Sequence, residues 1–333
     1  MFGEKETAFV TAQLIDTTDG YQLWSNRYDG EMNDIFDLQD ELAQGIVSNL
    51  KPNLQFPSKR QMRTVNVHAY HEYLKGTYLL SKQTPESMER ACHHLNHAIA
   101  LDPTFAAAYV GLGDFFYYMA SHGLRPIREF MPLSKSAASA ALQLDGELPE
   151  AQVVRGIAAL TWDYDWNCAE QHFKLALDNE RTTPSLRARA VFHGLVAFGR
   201  TEEAIIEIER AIDTDPLSSV ARSILAYAFY AGGRHEQAIG EANRALEMEE
   251  RHWPAYYTLA LIYLENGLIS DAMQVLHKGI SIAPFNTWMS SLLAACWSVL
   301  GNRNRVDALM EDVAARGNGA ALGYALYHAQ LTP

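Results

Sequence analysis

The chain has 333 residues, of which 48% are hydrophobic and 20% charged, and it carries a formal net charge of -13. This composition excludes a disordered chain, and the acidic balance is wrong for a phosphate backbone unless the basic residues gather on one face, so neither nucleic acid nor membrane is expected as a partner. No apolar run approaches the ~20 residues that span a bilayer, and Cys92, Cys168 and Cys296 are too few and too far apart for a disulfide framework or a metal knuckle, so a cytoplasmic, reducing location without cofactor or metal is expected.

From Phe9 to Ile15 and from Tyr21 to Tyr28 the chain alternates β-formers with polar residues, and Asp16 to Gly20 between them reads as a turn. The spacing predicts a β-hairpin. Asp34 then caps a predicted helix whose stripe is Ile35, Leu38, Leu42, Ile46 and Leu50. Two strands and one helix bury too little surface to stand alone, so residues 1–50 are expected to be a partial α/β module that leans on something else, another copy of the chain included. Lys51, Lys59, Arg60 and Arg63 mark 51–67 as a basic linker, read as a solvated connector.

Beyond residue 68 the pattern turns helical and repetitive. Lys75-Gly76, Leu79, Ala91, Leu95, Ala98 and Asp102-Pro103 outline a first helix hairpin. Tyr109, Leu112-Gly113 and Phe116 open a second, with a long turn expected from Ser121 to Pro132 and with Gly146 in place of a terminal proline. A third runs from Pro149 through Gly156, Ala169, Phe173 and Ala176, and Trp162 to Trp166 form its turn. In the second half a ruler of 34 residues takes over: Gly199, Gly233, Gly267 and Gly301 fall on it, with Ala204, Ala238, Ala272 and Val306 five residues behind each. The glycines suit the left-handed residue that ends a helix, and the small residues let the second helix of each pair approach the first. Ala211, Ala245 and Gly279 form another register, and Pro216 and Pro284 stand two periods apart. A last stretch, Ala320 to Leu331, is expected to be a capping helix over the final hairpin.

These residues resemble the tetratricopeptide repeat (TPR) family. In Trp253 to Pro284 the likeness is carried by Tyr256, Leu259-Ala260, Tyr263, Gly267, Ala272, Leu276 and Pro284; in Ser219 to Glu250 by Leu225-Ala226, Phe229, Gly233, Ala238 and Ala245. The resemblance implies a mainly α fold: a solenoid of about seven hairpins over 68–333 with a C-terminal capping helix, preceded by the β-hairpin and helix. The N-terminal residues Gln13 to Asp16, Gly20 to Trp24 and Asp34 to Gln39 resemble the end of the small α/β module that precedes TPR arrays in bacterial regulators headed by an adenylate cyclase, winged-helix or kinase domain. That likeness implies a non-catalytic scaffold or sensory region of a bacterial signalling or transcription regulator. The alternative is a fragment of a cyclase or kinase whose catalytic head is absent from this chain.

Few residues suggest chemistry. His93 and His97, with His94 between them, have the i,i+4 spacing of a zinc pair, but Ala91, Leu95 and Ala98 take the core positions of that helix and leave the histidines on its outer side. Asp163 and Asp165 in the Trp162 to Trp166 turn diverge at i,i+2, so they are read as packing and not as an acid/base pair. No phosphate loop or nucleophile elbow occurs, and no enzyme is expected. The concave groove is the better candidate. Residues beside the packed stripe of each first helix point into the curve of a solenoid, and here they are Tyr227, Tyr230, Tyr257, Leu261 and Trp288, with Ser223, Ser291 and Ala295 alongside. The Lys, Arg and Asn clamp of chaperone-tail-binding TPRs is not among them. A protein or peptide segment, helical or extended and largely apolar, is the expected ligand.

Overall fold

The computed structural model describes residues 7–15, 22–31, 41–42, 45, 66–82 and 84–315. At the N-terminus β1 (Thr7–Ile15) pairs antiparallel with β2 (Gln22–Glu31) in a two-stranded sheet. Phe9 lies opposite Asp29, and the Arg27 guanidinium sits 4.7 Å from the Phe9 ring centroid, so the exposed aromatic is screened by a cation. The expected turn at 16–20, most of the helix expected from Asp34, the basic residues Lys51, Lys59, Arg60 and Arg63, and the capping helix of 320–331 lie outside the described residues.

Among the described residues, seven antiparallel helix hairpins come next: α1 (Val67–Ser81) with α2 (Pro85–Leu101), α3 (Ala106–Ser121) with α4 (Ile127–Leu144), α5 (Pro149–Ala158) with α6 (Trp166–Leu177), α7 (Pro184–Val191) with α8 (Thr201–Thr214), α9 (Ser219–Ala231) with α10 (His235–Met248), α11 (Trp253–Glu265) with α12 (Ile269–Ile282), and α13 (Thr287–Val299) with α14 (Arg303–Ala315). Each hairpin packs on the next, and the first helices of successive pairs also touch, which lines one side of the coil with α1, α3, α5, α7, α9, α11 and α13. Short polar side chains start many of these helices: Thr84 and Ser87 form a reciprocal capping box, and Ser218 and Asn286 accept bonds from the first turns of α9 and α13.

The 34-residue ruler has a direct backbone meaning. Gly199, Gly233, Gly267 and Gly301 adopt φ of +71 to +72°, and in each case the next residue's N–H reaches back across the turn, as when Leu268 donates to the Tyr263 carbonyl at 2.8 Å. This is the left-handed helix ending that glycine permits at least steric cost. Ala204, Ala238 and Ala272 are fully buried at the helix crossings beyond these turns. At Gly279 the approach is closer still, since a Cβ built there would fall 2.6 Å from Met289 Sδ and 3.2 Å from Tyr256 Cβ.

Two hairpins depart from the ruler. From cap to left-handed residue they run Leu148 to Tyr164 and Thr183 to Gly199, one residue longer than Ser218 to Gly233, His252 to Gly267 and Asn286 to Gly301. The extra residue is absorbed as a π-helical turn, Ala159–Asp163 after α5 and Phe192–Val196 after α7. The second hairpin differs from expectation as well: α4 begins at Ile127 and carries Pro132 inside it, so the long turn expected through Pro132 shrinks to the residues before Ile127.

Candidate protein-binding groove

The side chains that face the inside of the coil come from the first helix of each pair, and aromatic rings dominate them. Tyr117 meets His193 edge to face at 5.5 Å between centroids, Phe192 meets Tyr227 at 5.3 Å, Tyr227 meets Tyr230 at 5.9 Å, and Tyr257 meets Trp288 at 5.9 Å. The π turn after α7 places Phe192 and His193 in this row. Tyr227, Tyr230, Tyr257 and Trp288 are each half-buried, with part of the ring held by neighbouring hairpins and part left to solvent. Leu261 departs from the expectation that it faces solvent. It is 5% exposed, packed with Ala260, Leu276 and Leu292, and so backs the groove wall without presenting itself to a ligand. The apolar weight of α11 (Ala255, Leu259, Ala260, Leu261, Ile262) leaves little of that helix free for an outward leucine.

Charge inside the coil is sparse, and one carboxylate oxygen, Oε2 of Glu150 at the start of α5, is buried there without a hydrogen-bond partner. Asp114 on α3 accepts a bond from Arg189 on α7 at 2.5 Å, which ties the second hairpin to the fourth across the concave side. Burial, helped by the Arg189 cation, pushes the His193 imidazole down to about 3, so it is neutral at any physiological pH. Burial likewise pushes Tyr117 and Tyr230 up to about 12, and Tyr257 and Tyr227 also rise for that reason. The phenols act as neutral hydrogen-bonding rims of apolar rings.

At one end the coil closes on itself. Tyr118 and His122, at the C-terminal end of α3, stack with centroids 4.0 Å apart, and His122 lies on Trp288 at 5.5 Å and against Trp253 and Phe285 at 6.0 and 6.1 Å. The second hairpin thereby touches the sixth and seventh. His122 is 8% exposed, and burial pushes its imidazole down to about 4.

The other sequence candidates have structural roles. Glu72 on α1 accepts from His94 at 2.7 Å, from Lys75 at 2.9 Å and lies 3.3 Å from His97, while His93 is exposed. Among the described residues no group of three or more His, Cys, Asp or Glu side chains could hold a metal ion. Asp163 bridges Lys135 and Arg155 at 2.8 and 3.3 Å, and Asp165 caps α6 through the Cys168 N–H, so the two carboxylates are spent on different partners. Between them Tyr164 is 75% exposed with φ of 55°. Tyr117, His122, Phe192, Trp253 and Phe285 are not legible in the sequence as groove residues. His193 falls on the ruler 34 residues before Tyr227, so its place could have been read from it, whereas Phe192 lies one position off that register and the closure of the coil has no periodic signature.

A coil of antiparallel helix hairpins with left-handed glycine turns at a 34-residue period and an aromatic concave face is a TPR solenoid. Family models described as tetratricopeptide repeat match residues 192–248 and 229–296. The crystal structure of a tetratricopeptide repeat protein from Parabacteroides merdae has the same fold, with a TM-score of 0.52 at 12% identity over 80% of this chain and 100% of that one. In sequence, the chain is 28% identical over 161 residues to a putative adenylate cyclase 3 of Rhizobium meliloti, covering 46% of this chain and 27% of the relative. It is 25% identical over 186 residues to the transcriptional regulator HilA of Salmonella typhimurium, covering 55% of this chain and 33% of the relative. The chain thus spans about a third or less of the length of the curated relatives it matches. No helix among the described residues is long and apolar enough to cross a membrane.

Proposed function

We propose that this chain is a non-catalytic, cytoplasmic protein-binding region of a bacterial signalling or transcription regulator, and that it holds a partner segment on the concave face formed by Tyr227, Tyr230, Tyr257 and Trp288, backed by Leu261. The observation that carries this reading is the row of half-buried rings. Their edges are fixed by packing, so little side-chain entropy is lost when a partner covers the remaining faces, and large aromatics in such positions are typical interface anchors. The aromatic row carries no basic clamp among Tyr227, Tyr230, Tyr257 and Trp288, which favours an apolar segment over an acidic tail. The likeness to a putative adenylate cyclase and to a transcriptional regulator, two proteins of different kinds, is what a shared interaction region would produce. In this reading residues 1–50 form a separate partial module joined by the 51–67 linker, and the open edges of the β1–β2 pair offer a second, self-associating surface. The test is a Tyr257→Ala, Trp288→Ala double variant of the full chain. It should lose a co-purifying bacterial partner while keeping its helical circular dichroism; a folded double variant that retains the partner refutes the groove.

A further inference from the structure

Neighbouring hairpins stack because the chain delivers them side by side. The contact of α3 with the start of α11 and α13 is different, since it joins the second hairpin to the sixth and seventh. Two rings one helical turn apart lead it, and Phe285 also packs against the cluster of Met88, Phe115, Tyr118 and Met119. Tyr118 and His122 stack on each other with planes inclined by 21°, and the pair enters a patch of three aromatic residues: His122 lies nearly parallel to Trp288, at 15°, edge-on to Trp253, at 89°, and both His122 and Tyr118 approach Phe285, at 6.1 and 6.4 Å. Trp288, one of the groove anchors, is therefore already covered by a side chain of the same molecule.

That cover fits in shape and falls short in polarity. His122 Nδ1 lies 3.1 Å from both the Tyr118 carbonyl and the Ser121 Oγ, so the hydrogen bonds of the ring are made on the Nδ1 side and none is made at Nε2. Nε2 of His122 and the indole N–H groups of Trp253 and Trp288 are all buried there without a hydrogen-bond partner. Stacking holds the seam, and three unpaired polar atoms penalise it, because opening returns each of them to water. An occupant with similar rings and a hydrogen-bond acceptor for the indoles would satisfy what α3 does not.

We propose that Tyr118 and His122 are an intramolecular plug, and that the natural occupant of the Trp253, Phe285 and Trp288 patch is a partner helix bearing two uncharged aromatic side chains at i and i+4. The proposal rests on the concave face being a binding surface and adds to it the form of the ligand and its control: the closed coil is the resting state, and the partner competes with α3 for one patch. The chemistry of the ligand is read from the occupant present, a helix with two stacked rings. In this scheme the partner binds with an affinity reduced by the fraction of molecules that are closed.

The probe is a fluorescein-labelled peptide copying residues 109–124, titrated into the full chain and read by anisotropy. The native chain should bind it at least tenfold more weakly than a His122→Ala variant, and small-angle scattering should show a larger radius of gyration for the variant at equal helical content. His122→Asp, which sets a charge against Phe285 and Trp288, is a second opening variant should the first not fold. Adding Trp288→Ala to either, or replacing both the Tyr118 and His122 equivalents in the peptide by Ala, should abolish binding. Folded opening variants that neither expand nor bind the peptide, or binding indifferent to Trp288→Ala, overturn the plug. If a cellular partner still depends on Tyr257 and Trp288 in that case, the groove stands and only the plug falls.

Discussion

His122 stacks on Trp288 with ring centroids 5.5 Å apart and planes inclined by 15°, although one residue ends the first helix of the second hairpin and the other begins the first helix of the seventh. The relationship turns an open spiral of hairpins into a coil whose concave side is bounded at one end. It also gives a titratable group a position that its own helix would not.

Acid should loosen the coil through His122. Its imidazole is held at about 4 in the folded chain, mainly by burial, against about 6.5 for an unperturbed histidine. The unfolded chain binds that proton first as the pH falls, so stability is complete above about pH 6.5 and declines toward pH 4, below which both states are protonated. The limit of the effect is about 3 kcal/mol for a shift of this size. Urea unfolding at pH 7.5 and 4.5 should show a smaller loss for His122→Phe than for the native chain. His193, held at about 3, contributes in the same direction and stays in both proteins.

Glu72 has the opposite chemistry and acts at lower pH. Hydrogen bonds from His94, and then from Lys75 and His97, hold its carboxyl at about 2 against the partial cost of burial. A depressed carboxylate stabilises above its unfolded value of 4.5 and loses that contribution as the pH falls toward 2. Lys75 and His97 are largely exposed, so Glu72→Gln should cost only about 1 kcal/mol at pH 6. Thermal melts at pH 6 and pH 2.5 should separate the two proteins at the first value and bring them together at the second.

Two glycines should respond to alanine with opposite signs. Gly240 sits exposed within α10 with nothing within 4 Å of a built Cβ, so Gly240→Ala should stabilise by about 0.5–1 kcal/mol. Gly279 faces buried Met289 and Tyr256, so Gly279→Ala should destabilise by about 1–3 kcal/mol, as should Ala238→Leu at its fully buried crossing. Melting temperatures of the three variants check the register.

Tyr164 holds the left-handed position that glycine holds in the later hairpins, with φ of 55°. Tyr164→Gly should raise stability by about 0.5–1 kcal/mol, because the strain of a left-handed tyrosine exceeds the entropy cost of a glycine. A lower melting temperature would mean that the exposed ring makes a contact worth more than that strain.

Much of this molecule is legible because its second half writes one geometric requirement several times. Gly233 and Gly267 mark left-handed turns, Ala238 and Ala272 mark crossings, and both arise from a helix pair that must close tightly in a fixed number of residues. Legibility fails where an element answers to tertiary structure alone. Leu261 shares the register of Tyr227, yet it belongs to a helix apolar on most of its surface and turns into the core. Phe192 reaches the groove through a π turn one position off the ruler, beside His193, which stands on the Tyr227 register but carries a residue type that periodicity does not mark. His122 looks like a helix-ending histidine until the coil brings Trp288 onto it.

The most direct test of the central claim is site-specific photocrosslinking of the full chain in bacterial cells, with benzoylphenylalanine at Tyr257 and, as a control outside the groove, at Leu217, which is 80% exposed. A partner that occupies the concave face should give a discrete crosslinked band from Tyr257, none from Leu217, and no band from Tyr257 once Trp288→Ala is added. A folded chain that crosslinks from Leu217 and not from Tyr257 would contradict the account.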